Sequence, residues 1–303
     1  MTLRGQRLTK GHGTGNDFLL FTDPDAEIAV NAQEVAALCS RHHGVGADGV
    51  IRVARTAALA AGESVAARLA TDHPEAEWFM DYRNADGSLA EMCGNGVRVF
   101  VRYLIAEGLV TLGDGEILAI GTRAGVKWVK RDGEEFAVAM GLWSAPGGEE
   151  ALRLGADAAV EVDGIEGARP GLSIAMPNPH VVLAVASEEE VAAANLLRTP
   201  RVQPVPTDGT NVEIVHPMGE TETPDGLVGV LRMRVHERGS GETQSCGTGA
   251  CAAAIAARVW MGEGAPERWI VHVPGGTVRV RIWPDAQVEL AGPAELVADV
   301  TLR

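Results

Sequence analysis

Two short segments, about half a chain apart, place a cysteine in nearly the same setting. They are Glu91-Met92-Cys93-Gly94-Asn95-Gly96 and Gln244-Ser245-Cys246-Gly247-Thr248-Gly249. A helix-like run follows each Cys-Gly-x-Gly turn, so the chain is predicted to contain two similar halves. Two equivalent thiols suit a reaction that inverts a carbon centre, because one group removes a proton from one face and another returns a proton to the opposite face.

The run after each turn has the spacing of a buried helix. The two apolar stripes are Val97, Phe100, Val101, Leu104 and Ile105 before Gly108, and Cys251, Ala254, Ile255 and Val259 before Gly262. At a helix start, N–H groups and the helix dipole favour a thiolate and can bind a carboxylate. A single Cys-Gly is commonly a buried core residue, so the duplication is what favours an acid/base role for Cys93 and Cys246. Cys39 and Cys251 lie on apolar stripes and are predicted to be core residues.

Composition excludes several classes of function. The net charge of −15 argues against nucleic acid or an anionic membrane as a partner. No apolar run reaches the ~18 residues of a membrane span, and no apolar signal segment is present, so a soluble, cytoplasmic protein is expected. The four cysteines lack zinc or disulfide-framework spacing, and Lys10, Lys127 and Lys130 lie in no cofactor motif. We therefore expect neither a metal nor a cofactor.

The length of 303 residues favours two domains, and the order of parts indicates an old duplication. Residues 13–18 (GTGNDF) lead into an apolar stretch in the first half, and residues 208–213 (DGTNVE) do so in the second. Residues 56–76 lack a clear period and are predicted to be a surface insertion. Residues 144–170, rich in Gly and Glu, are predicted to link the halves.

Two further polar segments are candidates for a site. Glu237 and Arg238 follow a predicted strand and precede the second cysteine turn, where ligand groups collect in α/β folds. Arg238 can bind a carboxylate bidentately, although an exposed Glu-Arg pair without function is the commoner outcome. Asn178 and His180 lie between and beside prolines in Met176-Pro177-Asn178-Pro179-His180. That segment is either a stiff, pocket-facing turn or a turn with two incidental polar residues.

The chain resembles the diaminopimelate epimerase family. The resemblance rests on six separated motifs in the family's order: GHGTGNDF at 11–18, RHHGVGADG at 41–49, NADGSLAEMCGNGVR at 84–98, NPH at 178–180, GTNVEIV at 209–215 and ERGSGETQSCGTGACA at 237–252. The chain departs from the family in small ways, with Pro177 in place of the usual glycine, His236 in place of an aromatic residue, and a longer insertion at 56–76.

The resemblance implies a mixed α/β fold with two pseudo-symmetric domains. Each domain is expected to be a curved mixed sheet wrapped around a central helix, with the active site in the interdomain cleft. The N-terminal epimerase domain, carrying Cys93, would comprise residues 1–137 plus 292–303, because the last strand returns to it. The C-terminal epimerase domain, carrying Cys246, would comprise residues 138–291.

The resemblance also implies an activity and residue roles. The activity is cofactor-independent epimerisation of LL-diaminopimelate to the meso form, with Cys93 and Cys246 as the acid/base pair. The reacting carboxylate would be bound by Gly94, Asn95, Gly247 and Thr248. The distal amino-acid end of the substrate would be bound by Asn16, Asn84, Asn178, Asn211 and Arg238. Glu237 and His180 would assist proton handling or ammonium binding. A ligand without the distal carboxylate would leave Arg238 buried and unpaired.

Other functions remain open from sequence. Among enzymes, the alternative is a racemase for a different amino acid, again with a small amino-acid substrate. A thiol redox protein would form a reversible Cys93–Cys246 disulfide, although the usual C-x-x-C spacing is absent. A binding protein of the same fold would have little use for both cysteines. The oligomeric state is not determined by the sequence, and a homodimer is one candidate.

Overall fold

In the computed structural model, residues 3–224 and 226–302 are described, and the chain divides into two compact units. Unit 1 comprises Met1–Val138 and Gly292–Arg303, and unit 2 comprises Ala139–Ala291. Each unit is built on one mixed sheet. Among the described residues, no helix is long and apolar enough to cross a membrane.

Unit 1 is an eight-stranded mixed sheet in the order β18-β1-β2-β3-β4-β5-β6-β7. Its strands are β1 (Arg7–Gly13), β2 (Asn16–Thr22), β3 (Gly49–Arg55), β4 (Trp78–Asn84), β5 (Ile117–Thr122), β6 (Gly125–Asp132), β7 (Glu135–Leu142) and β18 (Glu295–Thr301). Only β2–β3 and β4–β5 are parallel pairs; the other neighbours are antiparallel. The segment after residue 291 therefore supplies a strand beside the N-terminal one.

Four helices complete unit 1: α1 (Ala32–Cys39), α2 (Thr56–Leu59), α3 (Ser64–Asp72) and α4 (Gly94–Ala106). The predicted helix after the first cysteine turn is confirmed as α4, which packs against β1, β2, β3, β6 and β18. Its Val97, Phe100, Val101 and Leu104 are fully buried, so the sheet wraps around this helix. The α1 helix begins after Asn31, whose side chain accepts from the Glu34 N–H.

Unit 2 repeats this plan around the second cysteine helix. Its elements are α5 (Gly148–Leu154), β8 (Ala158–Glu161), β9 (Arg169–Ala175), β10 (Pro179–Ala184), α6 (Glu188–Ala193), β11 (Arg201–Gln203), β12 (Asn211–Thr223), β13 (Gly226–Glu237), β14 (Gly241–Thr243), α7 (Gly247–Met261), β15 (Arg268–Val273), β16 (Gly276–Ile282) and β17 (Gln287–Gly292). The ladder runs β8-β9-β10-β12-β13-β15-β16-β17, with β10–β12 and β13–β15 parallel.

The two ladders have the same succession of pairings, so each strand of unit 1 has an equivalent in unit 2. Phe18 pairs with Gly49 across β2 and β3, and His180 pairs with Asn211 across β10 and β12. The register therefore aligns Asn16 with Asn178, because Asn16 stands two residues before Phe18 and Asn178 stands two residues before His180. The sequence-based alignment of residues 13–18 with residues 208–213 was wrong: the two segments begin non-equivalent strands.

Residues 56–76, predicted to be a surface insertion, form α2 and α3, which bury Leu59, Ala66 and Leu69 in a cluster with Ala54 and Phe79. A further prediction from composition was wrong. Residues 144–170 do not link the halves; they form α5 and β8 inside unit 2. The α7 helix is buried on nearly all faces from Gly247 to Ala257, so its apolar surface is wider than the predicted stripe.

Candidate active site

Cys93 caps the N-terminus of α4. Its backbone is extended (φ −141°, ψ 123°), and its Sγ accepts a hydrogen bond from the Gly96 N–H at 3.4 Å. The thiol in turn donates to Oδ1 of Asn16 at 3.4 Å. The helix N-terminus that the sequence predicted for this thiol is therefore present, with the Gly96 N–H directed at the sulfur.

The amides around Cys93 form a continuous chain of hydrogen bonds. Asn95 Nδ2 donates to Asn16 Oδ1 at 3.3 Å, and Asn16 Nδ2 donates to Oδ2 of Asp48 at 2.7 Å. At the other end, the fully buried Arg98 donates from Nη2 to Asn95 Oδ1 at 2.9 Å. Asn16 and Asn95, expected at the two ends of a substrate, are thus also partners of each other in this structure.

Cys246 caps α7 in the same way. Its φ and ψ are −117° and 115°, and its Sγ accepts from the Gly249 N–H at 3.4 Å. Thr248 Oγ1 lies 3.5 Å from the sulfur. Burial raises the pKa of the Cys246 thiol well above its usual value, and the carboxylates of Glu237 and Glu213 raise it further. The surroundings of Cys246 therefore favour the thiol over the thiolate.

Glu237 is the carboxylate that interacts directly with Cys246. Burial raises the pKa of Glu237, while hydrogen bonds with Thr243 and Cys246 act in the opposite direction. A carboxylate whose proton affinity has been raised is suited to exchange a proton with a thiol. The predicted placement of Glu237 beside a thiol therefore agrees with the geometry of unit 2.

The sequence analysis did not identify Glu213 as a site residue. Its side chain is fully buried, its Oε1 lies 2.7 Å from Nδ1 of His180, and its Oε2 has no hydrogen-bond partner. His180 is also buried, and its Nε2 lies 3.1 Å from Oδ1 of Asn178. A carboxylate facing one ring nitrogen fixes the orientation of the imidazole. Glu213 stands in Asn-Val-Glu-Ile-Val, where a lone carboxylate on an apolar strand was the available signal.

Of the remaining predicted site residues, Asn178 lies near the second thiol, whereas Asn84 and Asn211 bond to neighbouring parts of the chain. Asn178 Nδ2 donates to Thr248 Oγ1 at 3.3 Å, so Asn178 lies close to the second thiol. Asn84 instead bonds to Ser88 within its own turn, from Nδ2 to Oγ at 3.0 Å. Asn211 is buried and joins two backbone segments, donating to the Pro179 carbonyl and accepting from the Arg238 N–H.

Arg238 is exposed, and its Nη1 donates to the Asp208 carbonyl at 2.8 Å. Its burial beneath a bound ligand that lacks the distal carboxylate stays a prediction. An exposed guanidinium keeps its hydration, so an unoccupied Arg238 carries no burial penalty here. The exposed side chain is accessible to a carboxylate.

The glycines of the two caps differ in the space around them. A Cβ at Gly249 would lie 2.7 Å from Glu213 Oε1 and 3.3 Å from Cys246 Sγ, whereas a Cβ at Gly96 would meet nothing closer than 3.4 Å. Within residues 3–224 and 226–302, no three His, Cys, Asp or Glu side chains converge as metal ligands do. The arrangement in each unit is thus a thiol, a set of helix N–H groups and a polar side-chain network.

Solved structures of similar fold include enzymes that act on small molecules. A PhzF-family phenazine biosynthesis protein of Bacillus anthracis matches with a TM-score of 0.63 at 16% identity, covering 97% of this chain and 98% of that one. A hydroxyproline epimerase of Agrobacterium vitis, solved with trans-4-hydroxy-L-proline, matches with a TM-score of 0.55 at 12% identity, covering 97% and 91%. These likenesses confirm the mixed α/β two-domain fold class.

Sequence relatives are much closer. Diaminopimelate epimerase of Streptomyces coelicolor is 44% identical over 299 residues, covering 96% of this chain and 93% of the relative. That of Thermobifida fusca is 45% identical over 303 residues, covering 98% of both chains. The family model for diaminopimelate epimerase matches residues 8–144 and 172–297. The chain, with both thiol-capped helices inside the matched residues, belongs to the diaminopimelate epimerase family and is an amino-acid epimerase.

Proposed function

We propose that this chain interconverts LL-2,6-diaminopimelate and meso-diaminopimelate without a cofactor, in the biosynthesis of lysine and peptidoglycan precursors. The observation that carries the proposal is the duplicated thiol. Cys93 and Cys246 cap the central helices of two sheets with the same strand pairing, and each sulfur accepts an N–H bond of 3.4 Å from the third residue of its helix. The two domains then each contribute one acid/base group.

The chemistry requires one thiolate and one thiol. One of the two thiols must therefore first give up its proton, and Glu237, which hydrogen bonds with Cys246, is proposed to accept it. The thiolate takes the α-proton from one face, and the electron pair of the broken C–H bond moves into the substrate carboxylate. The opposite thiol then gives its proton to the other face, so that the two sulfurs exchange protonation states and the α-carbon is inverted. No redox equivalent or group transfer is needed.

The helix N-termini stabilise the charge that develops. The N–H groups of Gly94, Asn95, Gly247 and Thr248 are proposed to bind the reacting carboxylate, where aligned peptide dipoles favour negative charge. Glu237 and His180 are proposed to handle protons or to bind the ammonium group. Glu237 hydrogen bonds with Cys246 and has a raised pKa, which supports a role in proton exchange with that thiol.

The distal end of the substrate provides specificity. Asn16, Asn84, Asn178, Asn211 and Arg238 are proposed to recognise the second amino-acid group, with Arg238 pairing with its carboxylate. The exposure of Arg238 supports this assignment, because an accessible guanidinium can bind a carboxylate bidentately.

Deuterium incorporation tests the proposal. The reduced protein is incubated in D2O with LL-diaminopimelate, meso-diaminopimelate or lysine, and the α-carbon is followed by mass spectrometry. Deuterium at one α-carbon, with conversion between the isomers, is the expected result. Equal exchange on lysine would instead indicate a broader amino-acid racemase, and no exchange on any compound would indicate a redox or binding protein.

A further inference from the structure

Asp48 lies in the motif RHHGVGADG, to which no role has been given. Its Oδ2 accepts from Asn16 Nδ2 at 2.7 Å and from the Asp17 N–H at 3.1 Å, while its Oδ1 accepts from Arg41 at 2.6 Å. Both oxygens of the carboxylate are therefore used. Asp48 contacts the amide of Asn16, which accepts from the Cys93 thiol, so its effect on the sulfur is transmitted through Asn16.

The four side chains Arg98, Asn95, Asn16 and Asp48 form what we call the amide relay. A guanidinium can only donate hydrogen bonds, and an ionised carboxylate can only accept them. Arg98 at one end therefore requires Asn95 to present its oxygen to the guanidinium, and Asp48 at the other requires Asn16 to present its NH2 group to the carboxylate. The orientation of both amides follows from the charges at the two ends of the relay.

The direction of the relay determines which amide atom faces Cys93. Because Nδ2 of Asn16 is directed to Asp48, Oδ1 faces the sulfur and accepts from the thiol at 3.4 Å. A carbonyl oxygen favours the protonated thiol, whereas an NH2 group in its place would favour the thiolate. If Asn16 turned by 180° about its terminal torsion, the two atoms would exchange places and this preference would reverse.

We propose that Asp48 is a positioning residue, which holds the Asn16 amide so that its oxygen receives the Cys93 thiol proton. Asp48 touches no reacting atom in this scheme. Arg98 has the same function for Asn95 at the opposite end of the relay. The proposal rests on the proposed acid/base role of Cys93, and it assigns the resting proton of that thiol to the bond with Asn16.

The rate of alkylation of Cys93 as a function of pH tests the proposal without turnover. Iodoacetamide reacts with the thiolate, and peptide mass spectrometry measures Cys93 and Cys246 in the same sample. The variants are Asp48→Asn, Asn16→Ala and the double variant. In Asp48→Asn an amide that both donates and accepts replaces the carboxylate, so only the bond from Asn95 still holds Asn16 in its orientation, and the preference for that orientation is weakened. The pH midpoint of the Cys93 alkylation curve is expected to fall by ~0.5–1 pH unit. At a pH below the midpoint, the alkylation rate of Cys93 should therefore rise about three- to ten-fold.

The double variant separates orientation from charge. If the Asp48 charge acted directly on the sulfur, its loss would shift the Cys93 midpoint whether or not Asn16 is present. If Asp48 acts by orienting the Asn16 amide, its loss has an effect only when Asn16 is present. We therefore expect Asp48→Asn to add nothing in the Asn16→Ala background, and an undiminished shift there would overturn the proposal. Asp17→Asn is the matched control, because Asp17 binds the same Arg41 and does not touch the Asn16 side chain. It is expected to leave Cys93 unchanged.

Asn16→Ala is informative if the Asp48 variant does not fold. Removal of Asn16 Oδ1, which accepts from the Cys93 thiol, must itself lower the pH midpoint of Cys93 alkylation. An unchanged midpoint would overturn the proposal. Cys246 is the internal reference and is expected to keep its rate in every variant. Because alkylation needs no substrate, a failure of the relay can be distinguished from a failure of the epimerase assignment, which the deuterium assay measures.

Discussion

Cys93 and Cys246 share one backbone setting but have different neighbours. The strand register aligns Phe18 with His180 and Ile51 with Glu213, so the apolar pair near the first cap is replaced by a buried imidazole and carboxylate near the second. Charged groups lie near one sulfur and amides near the other, so we expect the two thiols to differ in proton affinity. A pair that must hold one thiol and one thiolate benefits from such a difference.

Substitution of either catalytic thiol tests the acid/base pair. Cys93→Ser or Cys246→Ser should lower full epimerisation by on the order of 10²- to 10⁴-fold, because a serine hydroxyl is a far weaker acid. Each variant is expected to retain its fold. Conversion of LL- to meso-diaminopimelate is the measurement.

The two core cysteines are the controls for that experiment. Cys39 and Cys251 are buried, as predicted, and burial raises the pKa of Cys39 to about 12. Cys39→Ala and Cys251→Ala should keep turnover and lose only stability. Near-normal epimerisation by a serine variant of Cys93 or Cys246 would contradict the two-base assignment.

Arg238 is expected to determine specificity for the second carboxylate. Arg238→Ala should raise KM for diaminopimelate by about ten- to a hundred-fold, from the loss of hydrogen bonds worth ~1.5–3 kcal/mol to a charged group. Exchange on lysine, which has no distal carboxylate, should be weak in the wild type and unaffected by the substitution. Equal losses on both compounds would mean that Arg238 supports the fold and not substrate recognition.

Some residues of the site could be identified from sequence and others could not. The cysteines were identifiable because the same glycine-flanked turn occurs twice. Asp48 was not, because its role depends on a contact with Asn16 across 32 positions of chain. The exposure of Arg238 was not predictable either, because it depends on packing that a local motif does not determine.

At the scale of elements, the start of α7 is the more crowded of the two caps. The Gly249→Ala methyl would enter the space of Glu213 Oε1, which is buried and bonded to His180 and therefore cannot move freely. The expected result is displacement of the Glu213–His180 pair and a loss of turnover on the order of a hundred-fold. Epimerisation kinetics and a thermal unfolding curve measure the two effects separately.

Gly96→Ala is the matched control in the other helix. Its methyl would touch the Cys93 Cβ at 3.4 Å and side-chain carbons of Ile51 and Phe18 at 3.5 Å, all ordinary contacts. Alanine also favours the helical state over glycine. This variant is expected to keep most of its activity, and an equal loss in both alanine variants would contradict the role given to Glu213.

Elements with a strong period were predictable, and those without one were not. The α4 stripe of large apolar residues was sufficient to predict a helix. By contrast, α3 buries only Ala66 and Leu69, so its sequence, SVAARLATD, does not differ clearly from a polar surface segment. Composition likewise did not distinguish α5 and β8 from a linker, because short elements get most of their stability from tertiary packing.

At the scale of the whole molecule, the duplication is evident in the order of pairings and not in residue identity. Counted along each ladder, the third and fifth strand pairings are parallel: β2–β3 and β4–β5 in unit 1, and β10–β12 and β13–β15 in unit 2. The sequence indicated two halves, but it aligned the wrong strands, because a glycine-containing turn that ends in Asn can precede any buried strand. Strand register, which is set by long-range pairing, was needed to find the equivalent residues.

The C-terminal segment should be required by unit 1 and not by unit 2. Residues of β18 form six pairs with β1, and the α4 residues Arg98 and Arg102 donate to the carbonyls of Pro293 and Ala294. Each of these hydrogen bonds contributes ~0.5–1.5 kcal/mol to the free energy of unfolding. Deletion of residues 292–303 removes all of them, a loss comparable with the stability of a whole domain. Unit 1 should therefore lose amide protection in peptide-resolved hydrogen exchange, while residues 139–291 keep theirs.

Removal of the 146–155 segment, which includes α5, is the reverse control and should spare unit 1. Equal loss of protection across both units after the C-terminal deletion would mean that the chain unfolds as one cooperative body and that the division into two domains has no energetic basis.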